Sequence, residues 1–568
     1  MGYMKGVWSA SPGVMAAHVP LPPGLPQLLK EGTKHFPSQA DSLVSNIAAC
    51  KALVQCLASS YGPLGRSKLV IDHLGKTVCT ARAGTVLGAL VLENPAACLL
   101  AAACRAQEEE LGDGTGAVAL LAGALLARGE TLLRAGVPVA AIRAGYERAG
   151  KEALRLLPSL VCHALPDPRD VPAVARALRV AVGTHAMGYQ DFLATLVAQC
   201  CASVLPAAGT FDLNAVSICK VLGGGVGDSH VVPGVVLAAE AEGRVQRVEG
   251  ARVAVYGCPF GLATPAATNT ALFQAAGDLQ AYGPGEEALA EGRVRAVASA
   301  GAQVVVAGGH VDALLLHFAD HMGIMVVTLG SRQALRQLCR ALGAQLLGTP
   351  RPPLPAELGH CRSITVGEIG GTNTVAFHPS TATSPVATII LRGATKEALA
   401  AAEEAVRDGL RVFRALTEDP RLVPGAGATE MVLAMQLAAL APRDPGLEQF
   451  SLAAFAEALK VLPATLAENA GLPVATAMSQ LETWHGQGVA RAGLRLEGGD
   501  EGEEAWVQDA TQAGVLDAYV VKHRALELGT QVAVTLLGVD EIFMAKKSGG
   551  PRVLGDNPNW DVEPDALE

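Results

Sequence analysis

The chain has 568 residues, half of them hydrophobic and only 4% aromatic, and carries a formal net charge of −10 with a pI near 5.8. That length supports several domains around a large core, and the acidic balance gives no sign of nucleic-acid or anionic-membrane binding. The 12 cysteines include no CxxC pair and no metal-ligand spacing, which predicts reduced, mostly buried thiols in a cytosolic protein.

The opening stretch MGYMKGVWSASPGVMAAHVP lacks the apolar core of a signal peptide. Residues 40–160 read as mostly helical, with one exception. KLVIDHLGKTVCT (68–80) sets two β-prone runs around HLGK, which predicts a hairpin. The glycine-containing loop YGPLGRSK (61–68) leads into it. Further on, EEELGDGTGAVALLAGALLARG (108–129) places Asp113 between Gly112 and Gly114, in front of a segment rich in the helix formers Ala and Leu. Val118, Leu121 and Leu125 recur at helical spacing, which predicts a helix from Thr115 with one apolar face. Gly136 followed by Pro138 is a stop signal. The longest apolar run, Gly114 to Ala127, falls short of the roughly 18 residues of a membrane span.

A bare loop opening onto a helix N-terminus attracts anions, phosphate above all. A carboxylate beside that phosphate would cost about 4 kcal/mol at roughly 4 Å and an effective dielectric near 20. A Mg²⁺ ion bridging the two reverses the sign. Two readings fit the stretch: a Mg-nucleotide cradle, or an Asp N-cap on a buried helix.

Residues 251–392 change character. The short apolar runs RVAVYG, QVVVAGG, IMVVTLG, SITVGEI, TVAFH and VATIILRG alternate with helical stretches such as RQALRQLCRALG. This pattern predicts an α/β domain inserted into a helical one. From Thr395, a plausible N-cap, a helix over 395–416 is expected, with Leu399, Val406, Leu410 and Phe413 on one face. Asp408 points away from that face, where a solvated charge is the simplest reading. VPGAGATEMVLAMQLAALAP (423–442) repeats the glycine-loop-to-helix pattern, and helices then continue with interruptions to about Leu537. VDEIFMAKK reads as a final strand, and the Gly- and Pro-rich tail beyond it as disordered. No internal repeat is visible.

The segments YGPLGRSK, GDGTG, LRGAT, RLVPGAGATE, LAENAGL and AGVLDAYVVK stand in an order and spacing that resembles subunits of the group II chaperonins, the cytosolic TRiC type. HVPLPPGLPQLLKEGTKHF looks like the N-terminus of the theta branch, and the resemblance runs from about Met15 to Pro551. It implies a mixed α and α/β subunit of three domains: a helical equatorial domain (1–160 and 418–550), a hinge-like intermediate domain (161–228 and 381–417) and an inserted α/β apical domain (229–380), followed by a disordered tail (551–568). The apical domain would bind unfolded protein and carry a lid protrusion near 260–290, and the 68–80 hairpin and the last strand would form a sheet between subunits.

The resemblance also implies an ATP site with Mg²⁺. Asp113 would be the metal ligand, with Gly114, Thr115, Gly116 and Ala117 cradling phosphate, and Tyr61 and Gly62 would form a first phosphate loop. Asp408 would orient the attacking water. Gly425, Ala426 and Gly427 would lie near the sugar and phosphates, and Asp517 and Lys522 on the adenosine side. Gly183, Thr184 and His185 would approach the terminal phosphate.

Three positions depart from the family pattern. Arg82 stands where the family has a second carboxylate near the attacking water, and a guanidinium can serve neither as base nor as Mg²⁺ ligand; it could instead pair with phosphate. His185 replaces a phosphate-sensing lysine, and Ala426 replaces the middle glycine of a GGG loop. The expected function is an ATP-binding chaperone subunit that assists the folding of unfolded proteins in a cytoplasmic hetero-oligomeric ring, with slow hydrolysis and no nucleic-acid or membrane partner. The alternative is a degenerate chaperonin-like scaffold that binds partner proteins without an ATPase cycle.

Overall fold

The computed structural model describes residues 34–36, 39–71, 75, 77–184, 188–206, 211–262, 276–379, 386–496, 506–539 and 542–544. His185, residues 263–275 of the expected protrusion and the 551–568 tail lie outside these residues. Internal packing divides the chain into a small unit, residues 1–45 with 539–568, and a large one, residues 46–538. In the small unit, strand Lys34–Phe36 pairs antiparallel with Ile542–Met544, so the final strand is where the sequence puts it.

The large unit holds several buried cores. The first is helical and draws on both ends of the sequence, from Ile47 to Leu157 and from Val423 to Leu537. At its centre, helix Thr115–Arg134 packs on Glu448–Leu459 and Tyr519–Leu537. The one-faced helix expected here is instead buried nearly all round over Ala117–Leu126. Small alanines on every side let neighbours close in, and a helix apolar all round belongs inside a large core. This helix is long and apolar enough to cross a membrane, as is Glu448–Asn469, but both are largely buried within the protein.

The second core joins helices Val171–Gly183, Gln190–Val204 and Lys396–Glu418 to a three-stranded sheet. There Ala387–Gly393 runs parallel to Val216–Leu222 and antiparallel to His230–Pro233. Thr395 caps the long helix, its hydroxyl accepting from the Ala398 N–H. The inserted α/β region is a nine-stranded sheet. Its parallel centre is Arg252–Tyr256, Val304–Ala307 and Met325–Thr328. Their near-continuous apolar runs follow from burial on both faces, against Arg332–Leu342 on one side and Ala276–Ser299 with Ala313–His321 on the other.

A further expectation needs correction. The region after Thr395 is not helix alone: Arg421–Pro424 pairs antiparallel with Leu516–Ala518 and His163–Ala164, and Ala492–Leu494 pairs with Val507–Asp509. These strands are two to four residues long, too short for a hydrophobic period to register. The predicted hairpin is present, Lys68–Ile71 against Thr77–Thr80, and among the described residues no third strand of this chain joins it.

Candidate functional site

A cleft of about 490 Å³ opens beside the N-terminus of helix Thr115–Arg134. The chain enters it through a turn in which Gly112 and Gly114 take φ of +78° and +82°. Gly114 is the N-cap and offers no side chain, so the N–H groups of Thr115, Gly116 and Ala117 open the helix with no intrahelical acceptor. All three residues line the cleft. The loop cannot carry larger residues: a Cβ on Gly114 would sit 2.8 Å from Gln107 Nε2, and one on Gly116 2.9 Å from the Tyr61 ring. Tyr61 and Gly62 line the same cleft.

Asp113 lines the same cleft. Its Oδ1 accepts the Gly114 N–H at 2.6 Å, and among the described residues no cation lies within ion-pairing distance of it. Burial pushes its carboxyl up, and Asp517 reinforces the shift. A partly buried carboxylate held near a second one, short of positive charge and beside a phosphate-type helix N-terminus, fits a divalent cation. Mg²⁺ takes one or two carboxylates plus phosphate oxygens, so Asp113 would hold it, and the ion would supply the charge that joins carboxylate to phosphate.

Close to Asp113 lies a buried charge cluster. Lys522 Nζ lies 3.0 Å from Asp517 Oδ2 and donates to Glu430 Oε1. Burial opposes the Lys522 charge, but Asp517 and Glu430 outweigh it and hold the ammonium well above its ordinary range. Asp517 lies on strand Leu516–Ala518 and Lys522 in the first turn of helix Tyr519–Leu537. The two therefore meet at a strand-to-helix corner. Acidic residues in a first helical turn are common, so the pairing of Glu430 with Lys522 leaves no mark in the sequence. Nor does the sequence mark Gln107 as part of the site. It is fully buried and its Nε2 donates to the Asp113 carbonyl at 2.9 Å, which fixes the acidic turn.

Ala426 and Gly427 line the cleft between strand Arg421–Pro424 and helix Ala428–Leu440. Gly425 does not line it; its N–H is spent on the Val515 carbonyl at 3.0 Å. Gly183 and Thr184, at the end of helix Val171–Gly183, reach the cleft from a third direction.

Asp408 does not stand in solvent: it is 1% exposed. Nor does it line the cleft. Arg82, 7% exposed and on the cleft wall, donates through Nη2 to Asp408 Oδ1 at 2.5 Å and to the Gly112 carbonyl at 3.3 Å. Its Nε lies 3.1 Å from Glu108 Oε1. Arg411 Nη1 approaches the same Asp408 oxygen at 3.6 Å. Arg82 is thus paired with two carboxylates.

Residues 53–547 match the model of the TCP-1/cpn60 chaperonin family. T-complex protein 1 subunit theta of Bos taurus is 43% identical over 549 residues, covering 97% of this chain and 100% of the relative. The human protein of that name is 42% identical over 547 residues (96% and 99% covered), and that of Caenorhabditis elegans 38% over 537 (94% and 96%). With matches that run nearly end to end, the chain belongs to the TCP-1/cpn60 chaperonin family.

Proposed function

We propose that this chain is an ATP-binding chaperonin subunit that assists protein folding in a hetero-oligomeric ring in the cytoplasm. Family membership carries the chaperone role and its nucleotide dependence. The end-to-end relatedness and the intact cleft speak against a scaffold without an ATP cycle. The reading extends to domains: the helical core would be equatorial (1–160, 418–550), the second core intermediate (161–228, 381–417) and the nine-stranded region apical (229–380), receiving unfolded clients. The hairpin supports ring contacts, since Leu69 and Ile71 are each 67% exposed on a two-stranded ribbon whose edges another chain could extend.

The observation that carries the nucleotide reading is the pairing of Asp113 with the bare N-terminus of helix Thr115–Arg134. Backbone N–H groups would take phosphate oxygens, Asp113 would hold Mg²⁺, and Asp517 would accept from sugar hydroxyls. Water attack on the terminal phosphate needs a carboxylate to orient it, and Asp408 is the candidate. The test is titration of the full chain with ATP, with and without Mg²⁺. Wild type should bind with Mg²⁺, and Asp113→Ala should lose the Mg²⁺-dependent part of the affinity. An unchanged dissociation constant would show that Asp113 is not the metal ligand.

A further inference from the structure

Arg82 occupies an unusual place. It is the N-cap residue of the short helix Ala83–Ala89, yet its side chain does not cap. The guanidinium turns instead to the face of helix Lys396–Glu418 that carries Glu404, Asp408 and Arg411. That face is seated on residues 80–85 by further bonds: Thr80 and Thr85 hydroxyls donate to the two oxygens of Glu404 at 3.2 and 3.1 Å. The Arg82 N–H donates to Thr80 Oγ1 at 3.0 Å. The geometry that brings Arg82 to Asp408 is therefore held from both sides of the contact.

Two features set what this pair does. Gly112, the neighbour of Asp113, is so close that a Cβ there would lie 3.1 Å from Asp408 Oδ1. Asp408 thus sits directly behind the acidic phosphate turn, where a water-orienting carboxylate is wanted. But Arg82 lines the cleft and Asp408 does not, so the guanidinium stands between the carboxylate and the cleft.

In hydrolysis the water oxygen bonds to the terminal phosphorus as the bond to the bridging oxygen breaks. ADP leaves with that electron pair, and the water proton needs an acceptor. A candidate base must lie within hydrogen-bond reach of that proton. Arg82 is donor-only and cannot substitute; it engages the oxygen that would accept.

We propose that Arg82 is a positioning residue that holds Asp408 out of service, making this subunit retain bound ATP while hydrolysing it slowly. The inference rests on the ATP-binding reading above. It differs from a simple lack of a second carboxylate, because it makes removal of the guanidinium sufficient to restore rate.

The test uses the purified full chain, with Mg-ATP affinity and single-turnover hydrolysis measured on the same samples. Arg82→Gln should raise the hydrolysis rate at least about tenfold, equivalent to roughly 1.4 kcal/mol of barrier, with ATP affinity unchanged. Adding Asp408→Asn should remove the gain. Arg82→Met, which removes the donors and the charge while filling similar space, should give the same gain, so the test does not hang on the folding of one variant. The proposal is overturned if ATP binds and Arg82→Gln leaves the rate flat. It is equally overturned if only Arg82→Asp gains. Failure of wild type to bind Mg-ATP would overturn the functional reading itself, and this inference with it.

Discussion

Replacing Ala426 with glycine should raise the melting temperature of the nucleotide-free protein. Ala426 has φ of +53° and is the sole non-glycine with positive φ among the described residues. Hydrogen bonds fix it there: Gly425 N–H to the Val515 carbonyl (3.0 Å), Ala428 N–H to the Gly425 carbonyl (3.1 Å) and Leu494 N–H to the carbonyl of Ala426 itself (3.0 Å). The left-handed conformation costs a residue with a Cβ about 1–2 kcal/mol. Glycine removes that strain and adds back about 0.5–1 kcal/mol through the greater freedom of the unfolded chain. The half-buried methyl contributes only a fraction of the ~0.8 kcal/mol of a fully buried carbon. The balance is about 0.5 kcal/mol in favour of glycine, or about 1–2 °C for a domain of 150–250 residues. Ala426→Val, which adds β-branching where φ is positive, should lower the melting temperature by more than that. Scanning calorimetry of the three proteins decides the matter. A glycine variant that melts below wild type, or a valine variant that melts no lower, refutes the strain argument.

Asp113→Asn should raise the melting temperature without nucleotide at neutral pH and lose the stabilisation by Mg-ATP, which at a hundred times the dissociation constant is about 2.7 kcal/mol. The Asp113 carboxyl is pushed up by burial, so its cost is absent in acid below about pH 4 and appears as pH rises through the folded-state value; melts of the two proteins should converge in acid. Gly116→Ala should weaken nucleotide binding by crowding the Tyr61 ring, whose nearest atom lies 2.9 Å from the added Cβ, and Tyr61→Ala in the same chain should recover part of it, read by ATP titration. Lys522→Met should destabilise by about 3–5 kcal/mol, since it strands Glu430 and Asp517; denaturant melts should show partial recovery when Glu430→Gln is added. Val78→Pro, on the hairpin, should reduce incorporation into rings when the chain is co-expressed with other chaperonin subunits, measured by sizing.

Much of this architecture is legible in the sequence because its signals are long. The helix from Thr115 extends over 20 residues and the one after Thr395 over 23, ample for period and cap to agree. The parallel strands announce themselves as valine-rich runs buried on both faces. The short strands Arg421–Pro424 and Leu516–Ala518 do not, since three or four residues carry no period. Their pairing is set by the helices that bracket them, and it turns Asp517 and Lys522 into a corner.

The site divides along the same line. Asp113, Gly114 and Thr115 are contiguous, and the turn they make onto the helix follows from local backbone geometry, so the sequence displays it. Arg82 and Asp408 lie 326 positions apart, and nothing in either neighbourhood names the other as partner. The sequence alone leaves open whether the Arg82 guanidinium faces phosphate, solvent or a carboxylate. The three cases predict different chemistry. Facing phosphate, Arg82 would add binding energy to nucleotide, and its removal would weaken affinity. Facing solvent, its removal would do nothing. Paired with Asp408 and Glu108 and nearly buried, it acts on the carboxylate, and its removal should change rate at constant affinity. Mg-ATP affinity and single-turnover rate of Arg82→Gln therefore separate all three.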